Sequence, residues 1–371
     1  MISDLCCVFN VGAIYRRPIF KLIDEEFGCD FYLGDRVNYP LKLMNYHELK
    51  GFKGELRYIK LFGNFYWQKG AIGLVWKSYK TFIITGEPHC VSSWILLFCA
   101  KVLKKNTVVW THGWYGRETK LRSFIKKIFF SLASKVMLYG DYAKNLMIAQ
   151  GYDRNKLFCI YNSLDLDVQK KLRSNLTQTD VYVNHFGNYH PVLLFIGRLD
   201  HFKKLDQLVE CLAQLHKSGS KCNLILIGEG NELANLINLV DENNLSDFVW
   251  FYGPCFEEKE LANLIFNAHL GITPGVIGLS VLHCFAYGLP FVGNNNFTKQ
   301  GPEFESIIPG ITGEFFVEND QNDMVNIVSK WLELSRNNRD FYRENCYNIL
   351  DQKYNPLNQL NILMTNLNFK K

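Results

Sequence analysis

Three apolar runs in the second half of the chain each end in a glycine-containing turn, and this recurrence constrains the fold more than any other feature. The runs cover 192–196, 224–227 and 270–273, and the turns contain Gly197, then Gly228 and Gly230, then Gly275 and Gly278. Short, unbroken apolar runs are typical of strands buried in a parallel sheet. Because open α/β sheets bind ligands beyond the carboxyl ends of their strands, these turns are the predicted binding site.

The first half of the chain alternates in the same way between short apolar runs and amphipathic segments. Strands are predicted at 5–9, 31–33, 58–61, 82–87, 107–110, 135–138 and 157–161, and helices at 18–27, 91–103, 121–133 and 141–150. Such alternation predicts a parallel sheet with helices on both faces. Residues 1–10 lack a basic lead and are interpreted as the region of the first strand, not as a signal peptide. Residues 166–190 show no clear period and are predicted to be a linker.

Chain length and this pattern together predict two domains, because 371 residues exceed a typical single core. We therefore predict an α/β protein with two Rossmann-like, doubly wound parallel-sheet domains that face a cleft. The N-terminal domain is expected to cover 1–170 and the C-terminal domain 171–335. Residues 336–371 are expected to form a helical tail, which can pack back on the N-terminal domain.

Charge is distributed unevenly along the chain. Residues 1–165 contain 24 Lys and Arg against 13 Asp and Glu, whereas residues 166–371 contain 17 against 23. A basic half beside an acidic half indicates an anionic partner. Nucleic acid is not the expected partner, because the basic residues are dispersed and no recognition motif is present.

Cysteine usage and hydropathy bear on the compartment. The eleven cysteines include no C-x-x-C pair, which argues against zinc and favours reduced thiols in a cytosolic protein. No segment reaches the ~18 apolar residues that span a bilayer. The basic amphipathic segment 121–133 could lie on an anionic membrane, or its Phe124 and Ile128 could belong to the core. We expect a cytoplasmic protein that can attach peripherally to the inner face of the cell membrane.

The residue types at the glycine turns suit a ligand that carries phosphate. Arg198 can bind a phosphate group through two hydrogen bonds, and Lys203 adds a positive charge on a flexible stem, with Lys204 as a weaker candidate. Glycines let backbone N–H groups approach phosphate oxygens. Each signal alone is more typical of a tight turn with a surface arginine, but their order and spacing favour a diphosphate site.

These motifs resemble those of the retaining glycosyltransferases of family 4, which have the GT-B fold. The resembling residues are Gly197-Arg198-Leu199 with Lys203, the turn from Gly228 to Gly230, the block 278–290, and Gly310-Ile311-Thr312-Gly313. Residues 161–165 are similar to the motif that often ends that family's first domain. The resemblance covers about 190–330 well. It implies an N-terminal acceptor-side domain and a C-terminal nucleotide-sugar-binding domain.

One departure concerns two glutamates that the family carries in the donor site. When the chain is aligned on Gly278 and Leu279, their positions hold Gly275 and His283. Glu303 and Glu305 follow the next predicted strand and could replace them, although a solvated turn is an equally good interpretation. The departure resembles variants among bacterial surface-polysaccharide glycosyltransferases. The implied donor-binding residues are Gly197, Gly228, Gly230, Gly275, Gly278, Leu279, His283, Glu303 and Glu305.

The resemblance also implies a site in the N-terminal half. His112 follows a predicted strand, where the family often places a histidine near the reacting sugar, and a buried core histidine is the alternative. Arg117 and Glu118 on the same loop could reach the acceptor. Tyr15 and Arg16 are also expected on the acceptor side, although two surface arginines are the simpler interpretation.

The resemblance implies a retaining, metal-independent glycosyltransferase of the hexosyltransferase type, with His112, Arg198 and Lys203 as catalytic residues. Such an enzyme needs no cofactor besides its nucleotide-diphosphate-sugar donor, for which UDP is expected more than GDP. The acceptor is expected to be a glycan or a lipid-linked acceptor in polysaccharide biosynthesis. Two alternatives stay open: a nucleotide-sugar epimerase, and a non-catalytic carbohydrate- or nucleotide-binding relative with the GT-B fold. Intact Arg198 and Lys203 argue against the second.

Overall fold

The computed structural model describes residues 3–37 and 41–367. Contacts divide the chain into two compact units: unit 1 comprises Met1–Asp165 and Asn355–Lys371, and unit 2 comprises Leu166–Tyr354. The chain therefore passes between the units after Asp165 and after Tyr354. The boundaries predicted from the sequence, at 170 and 335, differ from these positions. Of the segments predicted as first strand and tail, residues 1–2 and 368–371 lie outside the described residues.

Unit 1 contains a sheet in which the strands follow the order β4-β3-β2-β1-β5-β6-β7-β8. The strands are β1 Leu5–Phe9, β2 Asp30–Gly34, β3 Phe52–Lys60, β4 Tyr66–Lys69, β5 Thr81–Thr85, β6 Asn106–Thr111, β7 Lys135–Leu138 and β8 Leu157–Cys159. The first helices are α1 Arg17–Phe27, α2 Val91–Val102, α3 Lys120–Ser131 and α4 Asp141–Ala149. All neighbouring strands are parallel except β3 and β4, which pair antiparallel at one edge.

Burial on both faces explains why β1 is an unbroken apolar run. Cys7 and Phe9 belong to the core cluster on one face of the sheet, which also contains Phe20 of α1. Cys6 and Val8 belong to the cluster on the other face. Alternate side chains of a strand point to opposite faces, so a strand covered by helices on both sides needs no polar positions.

Unit 2 contains a second sheet, and its strands are all parallel in the order β11-β10-β9-β12-β13-β14. The helices α5 Leu166–Arg173 and α6 Val181–Phe186 precede the strands β9 Val192–Ile196, β10 Asn223–Ile227, β11 Val249–Gly253, β12 Leu270–Thr273, β13 Phe291–Asn294 and β14 Gly313–Phe316. The remaining helices are α7 Leu205–Lys217, α8 Leu233–Glu242, α9 Glu258–Asn267, α10 Ser280–Ala286, α11 Gln321–Asn337 and α12 Arg339–Gln352. Both sheets are thus doubly wound, as the sequence predicted.

The predicted linker at 166–190 is wrong, because most of it is helical. In α5, Leu166 is buried, and in α6 the Tyr182 hydroxyl donates a hydrogen bond of 2.7 Å to the Leu264 carbonyl of α9. These helices span 8 and 6 residues, which is too short for a helical period to stand out in the sequence.

The last helix, α13 Pro356–Leu367, belongs to unit 1. Its Leu360 and Leu363 join the core cluster that contains Phe20 and Ile23 of α1. The Ser163 hydroxyl also donates a hydrogen bond of 2.7 Å to Oε1 of Gln359. Residues 336–354 of the predicted tail lie instead in unit 2. Within 3–37 and 41–367, no helix is both long and apolar enough to cross a bilayer.

Candidate functional site

The switch in strand order of unit 2 lies between β9 and β12. The chain runs from β9 outward through β10 to β11 and then returns to the other side of β9 as β12. Loops at the carboxyl ends of two such neighbours lead in opposite directions and leave a crevice, where open α/β sheets bind ligands. The turns at Gly197 and Gly275 follow these two strands.

Glycine is required at the turns after β9 and β10 because their backbones touch. A Cβ on Gly228 would lie 1.9 Å from the Gly197 carbonyl oxygen, and one on Gly230 would lie 2.2 Å from that of Leu199. Gly197 and Gly228 also have φ values of 149° and 146°. Both turns therefore present backbone groups at the edge of the sheet, beside the side chains of Arg198 and the exposed Glu229.

Gly275 explains the first missing glutamate. A Cβ at this position would lie 1.9 Å from the Phe202 carbonyl oxygen and 2.7 Å from the Lys203 Cα. The Gly275 N–H also donates a hydrogen bond of 2.9 Å to the Lys203 carbonyl. The loop after β12 thus lies directly on the loop after β9, and no side chain fits where the family carries its carboxylate.

A buried amide pair, which the sequence analysis missed, holds this loop. The Asn294 side-chain amide donates to the carbonyls of Pro274 at 2.7 Å and Gly275 at 2.9 Å. Gln300 Oε1 accepts from the Ile277 N–H at 2.6 Å, and Gln300 Nε2 donates to Asn294 Oδ1 at 2.9 Å. Both side chains are buried. They fix the backbone that leads to the predicted donor residues Gly278 and Leu279, which are half-buried.

Lys203 and Arg198 differ in exposure and in hydrogen bonding. The Lys203 ammonium donates to the Val276 carbonyl at 2.5 Å. Burial and the charge of Arg198 lower the pKa of Lys203, while Asp200 and Glu303 oppose that effect. The side chain of Arg198 is 71% exposed and lies 3.6 Å from Asp200. Lys203 therefore braces the two loops, whereas Arg198 is open to a ligand in solution.

Glu303 is not part of a solvated turn. It is buried in the short 3₁₀ turn Pro302–Ser306, and Glu305 is half-buried. A Cβ on Gly301 would meet Glu303 Oε2 at 2.7 Å and the Ile277 carbonyl at the same distance. The Glu303 carboxylate therefore lies beside the loop after β12, near enough to Lys203 to act on its pKa.

His283 contacts a carboxylate that the sequence analysis did not single out. Its Nε2 lies 2.9 Å and 3.1 Å from the two carboxylate oxygens of Glu258, the first residue of α9. Tyr287 and Gln169 donate to the same carboxylate at 2.5 Å and 3.2 Å. Burial raises the pKa of Glu258, but these hydrogen bonds outweigh it and lower the pKa to about 2. The Nε2 atom of His283 is thus occupied by its contact with Glu258.

Among the described residues of unit 1, depressions at the carboxyl edge of the sheet include a smaller and a larger one. The smaller, of about 90 Å³, is lined by Arg16, Tyr15, Trp110 and His112 among others. The larger, of about 260 Å³, is lined by Arg36, Tyr58, Tyr66 and His89 among others. Asn10 and Glu87 line both.

Glu87 links the two depressions, and the sequence analysis missed it. Its carboxylate accepts a hydrogen bond of 2.9 Å from the Asn10 amide and one of 2.7 Å from the Tyr66 hydroxyl. It follows Gly86 directly after β5, so a glycine turn at a strand end marks its position in the sequence. Among the described residues, no cluster of three His, Cys, Asp or Glu could hold a metal ion.

Arg16 is not a surface arginine. Its guanidinium lies 5.4 Å from the ring centre of Trp110 and 5.8 Å from that of Phe9, and it donates to the Tyr139 hydroxyl. Loss of hydration alone would lower the pKa of Arg16, but Tyr139, Tyr15 and Glu87 outweigh it and raise the pKa. Its Nε is buried without a hydrogen-bond partner in the described part of the chain.

His112 is exposed, so the alternative of a buried core histidine is wrong. Its ring lies 4.6 Å from that of Tyr139 and 6.0 Å from that of Tyr115. Part of the ring surface is open, but the protein packed around the rest removes much of its hydration, and this, with the charges of Arg16 and Lys126, lowers the pKa of His112 to about 4. The neutral imidazole keeps surface with which to hydrogen-bond a ligand.

The loop after His112 is closed by Glu118. The Glu118 carboxylate accepts from the N–H groups of Tyr115 at 2.9 Å and Gly116 at 3.0 Å, and from the Lys126 ammonium at 2.7 Å. The Glu118 carboxylate is therefore occupied by hydrogen bonds to its own loop and to Lys126, contrary to the expectation that it could reach an acceptor. Arg117 is exposed, with its guanidinium 5.4 Å from the Tyr115 ring centre.

Comparison with known proteins identifies the fold. Two solved structures align with nearly the whole chain, each at 14% identity: Alr3699/HepE from Anabaena in complex with UDP, and the lipopolysaccharide outer core galactosyltransferase WaaB. The first covers 99% of this chain and 100% of its own with a TM-score of 0.74; the second covers 97% and 99% with a TM-score of 0.70. The fold is GT-B.

Sequence comparison finds a match to a glycosyltransferase family model within unit 2 of this GT-B chain. Residues 183–348, less than half of the chain, match the family of glycosyl transferases group 1. An uncharacterised 41.2 kDa protein in the cps region of Klebsiella pneumoniae is 22% identical over 275 residues, which are 71% of this chain and 66% of that protein. The chain thus spans just under two thirds of that relative.

Proposed function

We propose that this chain is a retaining, metal-independent glycosyltransferase that transfers a hexosyl group from a UDP-sugar to a glycan or lipid-linked acceptor. The observation that carries the proposal is the edge of unit 2 between β9 and β12. There, two loops in backbone contact present Arg198 beside glycine turns, within the segment that matches glycosyl transferases group 1. Arginine and backbone N–H groups are what a diphosphate requires.

The proposed chemistry needs positive charge more than a protein nucleophile. In retaining transfer of this kind, the acceptor attacks on the face from which the diphosphate leaves, and the leaving group takes the proton. Arg198 would neutralise the developing charge on the diphosphate. Lys203 would keep the two loops in register, because its ammonium joins the loop after β9 to the Val276 carbonyl. The charge of Lys203 would add to that of Arg198 at this edge of the sheet, so the proposed transfer would need no divalent metal.

The proposed acceptor site is the pair of depressions in unit 1. Glu87 and neutral His112 offer hydrogen-bond acceptors for sugar hydroxyls, while Tyr15, Arg16 and Arg117 are placed around them or on the adjoining loop. The choice of UDP and of a role in polysaccharide biosynthesis draws on the relatives. One was solved with UDP, one is a lipopolysaccharide outer core galactosyltransferase, and one is a protein in a cps region.

A transfer assay tests the proposal. The full chain is incubated with UDP-glucose, UDP-galactose and UDP-N-acetylglucosamine in EDTA, with a pool of bacterial oligosaccharides and polyprenyl-linked sugars as acceptors. The proposal predicts UDP release that depends on an acceptor, with an α-linked product visible by NMR. Acceptor-independent release would favour an epimerase or hydrolase. UDP binding without turnover on any acceptor would favour a non-catalytic relative.

A further inference from the structure

Helix α3 buries very little of itself. Only Phe129 and Phe130, in its last turn, are buried. Its other large apolar side chains lie on one face and are exposed to the following extents: Leu121 68%, Phe124 61%, Ile125 39% and Ile128 42%. Their spacing of three and four residues is that of a single helical face. The alternative that Phe124 and Ile128 belong to the core is therefore wrong.

The neighbouring helix α2 continues this apolar face. Its exposed apolar side chains are Ile95 at 39%, Phe98 at 59% and Val102 at 64%, and Leu103 follows at 44%. The two helices are adjacent, since the rings of Trp94 and Phe129 lie 5.0 Å apart and the Lys101 ammonium donates to the Ser131 carbonyl at 3.2 Å. We call the eight exposed side chains of α2, Leu103 and α3 the α2–α3 surface.

The charge of the segment that carries the α2–α3 surface is almost entirely positive. Residues 91–133 contain eight Lys and Arg and one acidic residue, Glu118. That carboxylate is already paired with Lys126 at 2.7 Å. Lys120, Arg122 and Lys127 are exposed on α3 itself, around its apolar face. An apolar face flanked by exposed cations, with the one carboxylate of this segment already paired, is complementary to a surface that is apolar inside and anionic outside.

We propose that the α2–α3 surface lies on an anionic lipid bilayer, with its apolar side chains at the level of the headgroups. Helices that lie in the membrane interface combine Phe and Leu on one face with Lys and Arg around it. A protein partner is less suited to this surface, because protein interfaces are depleted in lysine. A second copy of the chain would bring two cationic rims together, which repel each other.

The proposal does not depend on the transferase reaction, so it is tested without a donor. The full chain is sedimented with phosphatidylcholine vesicles and with vesicles containing 30% phosphatidylglycerol, at 0.05 M and 0.5 M salt. We expect binding to the anionic vesicles alone and loss of most of it at high salt. A chain that binds neither vesicle, or that binds both equally, would overturn the proposal.

Matched variants locate the binding surface. Leu121→Ser combined with Phe124→Ser should weaken binding roughly tenfold or more, because both side chains are expected to leave water on binding. Lys120→Glu with Arg122→Glu should also weaken it and flatten the salt dependence. Phe341→Ser, on the exposed face of α12, is the control, since Phe341 is 56% exposed but lies in unit 2.

Unchanged thermal unfolding of each variant shows that the fold is intact. If the Leu121/Phe124 variant binds anionic vesicles as tightly as the wild type, the α2–α3 surface is not the membrane contact. If light scattering shows a wild-type dimer that this variant dissociates, the surface is an interface between copies of the chain, and the proposal is wrong.

Discussion

His283 Nε2 lies 2.9 Å from Glu258 Oε1, so an imidazole on α10 contacts a carboxylate on the first turn of α9. The family resemblance implies a carboxylate at position 283. The chain instead has histidine there, with a carboxylate supplied by the neighbouring helix. Tyr287 and Gln169 donate to that carboxylate as well. The local charge at this point of the sheet edge is therefore set by a group that is distant in sequence.

Glu258→Gln should remove an acid-range dependence of stability. The pKa of Glu258 is lowered to about 2. A carboxyl group with a lowered pKa in the folded state stabilises the fold above its unfolded pKa, ~4.3, and this contribution is lost as the pH falls towards 2. Melting temperature measured between pH 5 and 2 should fall less steeply in the variant. Glu257→Gln, at the neighbouring exposed position, should retain the wild-type slope. Parallel curves for all three proteins would contradict the pairing.

Gly275→Ala should destabilise unit 2 and weaken nucleotide binding together. The new methyl group would lie 1.9 Å from the Phe202 carbonyl oxygen, so the loop that carries Lys203 must move. Forcing atoms into a packed site costs about 1–3 kcal/mol, measurable by urea denaturation. Gly278→Ala is the matched control, because a Cβ there meets nothing within 4 Å. Equal stability of the two variants would show that the loops are not in contact.

Arg16→Ala and Arg17→Ala should differ in their effect on transfer. Arg16 lies among aromatic rings in the unit 1 depression, whereas Arg17 is paired with Glu48 at 2.7 Å on the surface. Loss of Arg16 should lower kcat/KM for the acceptor roughly tenfold or more, because it removes a charge and repacks the site. Loss of Arg17 should change it less than about twofold. Similar losses in both would place the acceptor elsewhere.

His112 should remain neutral at every pH at which an enzyme of this kind is assayed. Its pKa is lowered to about 4, and a histidine with a lowered pKa is uncharged above that value. NMR titration of labelled histidines should show His112 titrating well below pH 6, and His112→Ala should identify its signal. The same variant should lower kcat with little effect on the donor Kd. A titration near pH 6.5 would show that neither dehydration nor the charges of Arg16 and Lys126 act on the imidazole as described.

Much of the sheet architecture follows from the sequence, because strands buried on both faces need unbroken apolar runs. β1, β7 and β9 coincide with their predicted ranges for this reason. β4 was not predicted, since only four residues form it and two are polar: Lys69 is exposed, and Gln68 is buried, with its amide donating to the Phe9 carbonyl. The helices α5 and α6 were missed because short helices owe their stability to packing on α9, which sequence spacing does not reveal.

The part of the candidate site that could be predicted consists of positions where the local backbone allows one residue type only. Glycines at strand ends are conspicuous because close backbone contacts exclude every other residue. Asn294 and Gln300 were not predicted, since their importance depends on the loop they hold, about twenty residues earlier in the chain. Glu258 was missed for the same reason, because it becomes recognisable only when the fold brings its partners to it. Glu87 differs, since it follows a glycine turn at a strand end and had a local signal.

We expect the edge of unit 2 between β9 and β12 to bind a nucleoside diphosphate through Arg198. Calorimetric titration of the chain with UDP and GDP in EDTA measures this binding. We predict binding of UDP without divalent metal, and a Kd that rises roughly tenfold or more in Arg198→Ala, since a charge-assisted hydrogen bond contributes about 1.5–3 kcal/mol. Absence of UDP binding by the wild-type chain, or equal UDP affinity in Arg198→Ala, would contradict the account.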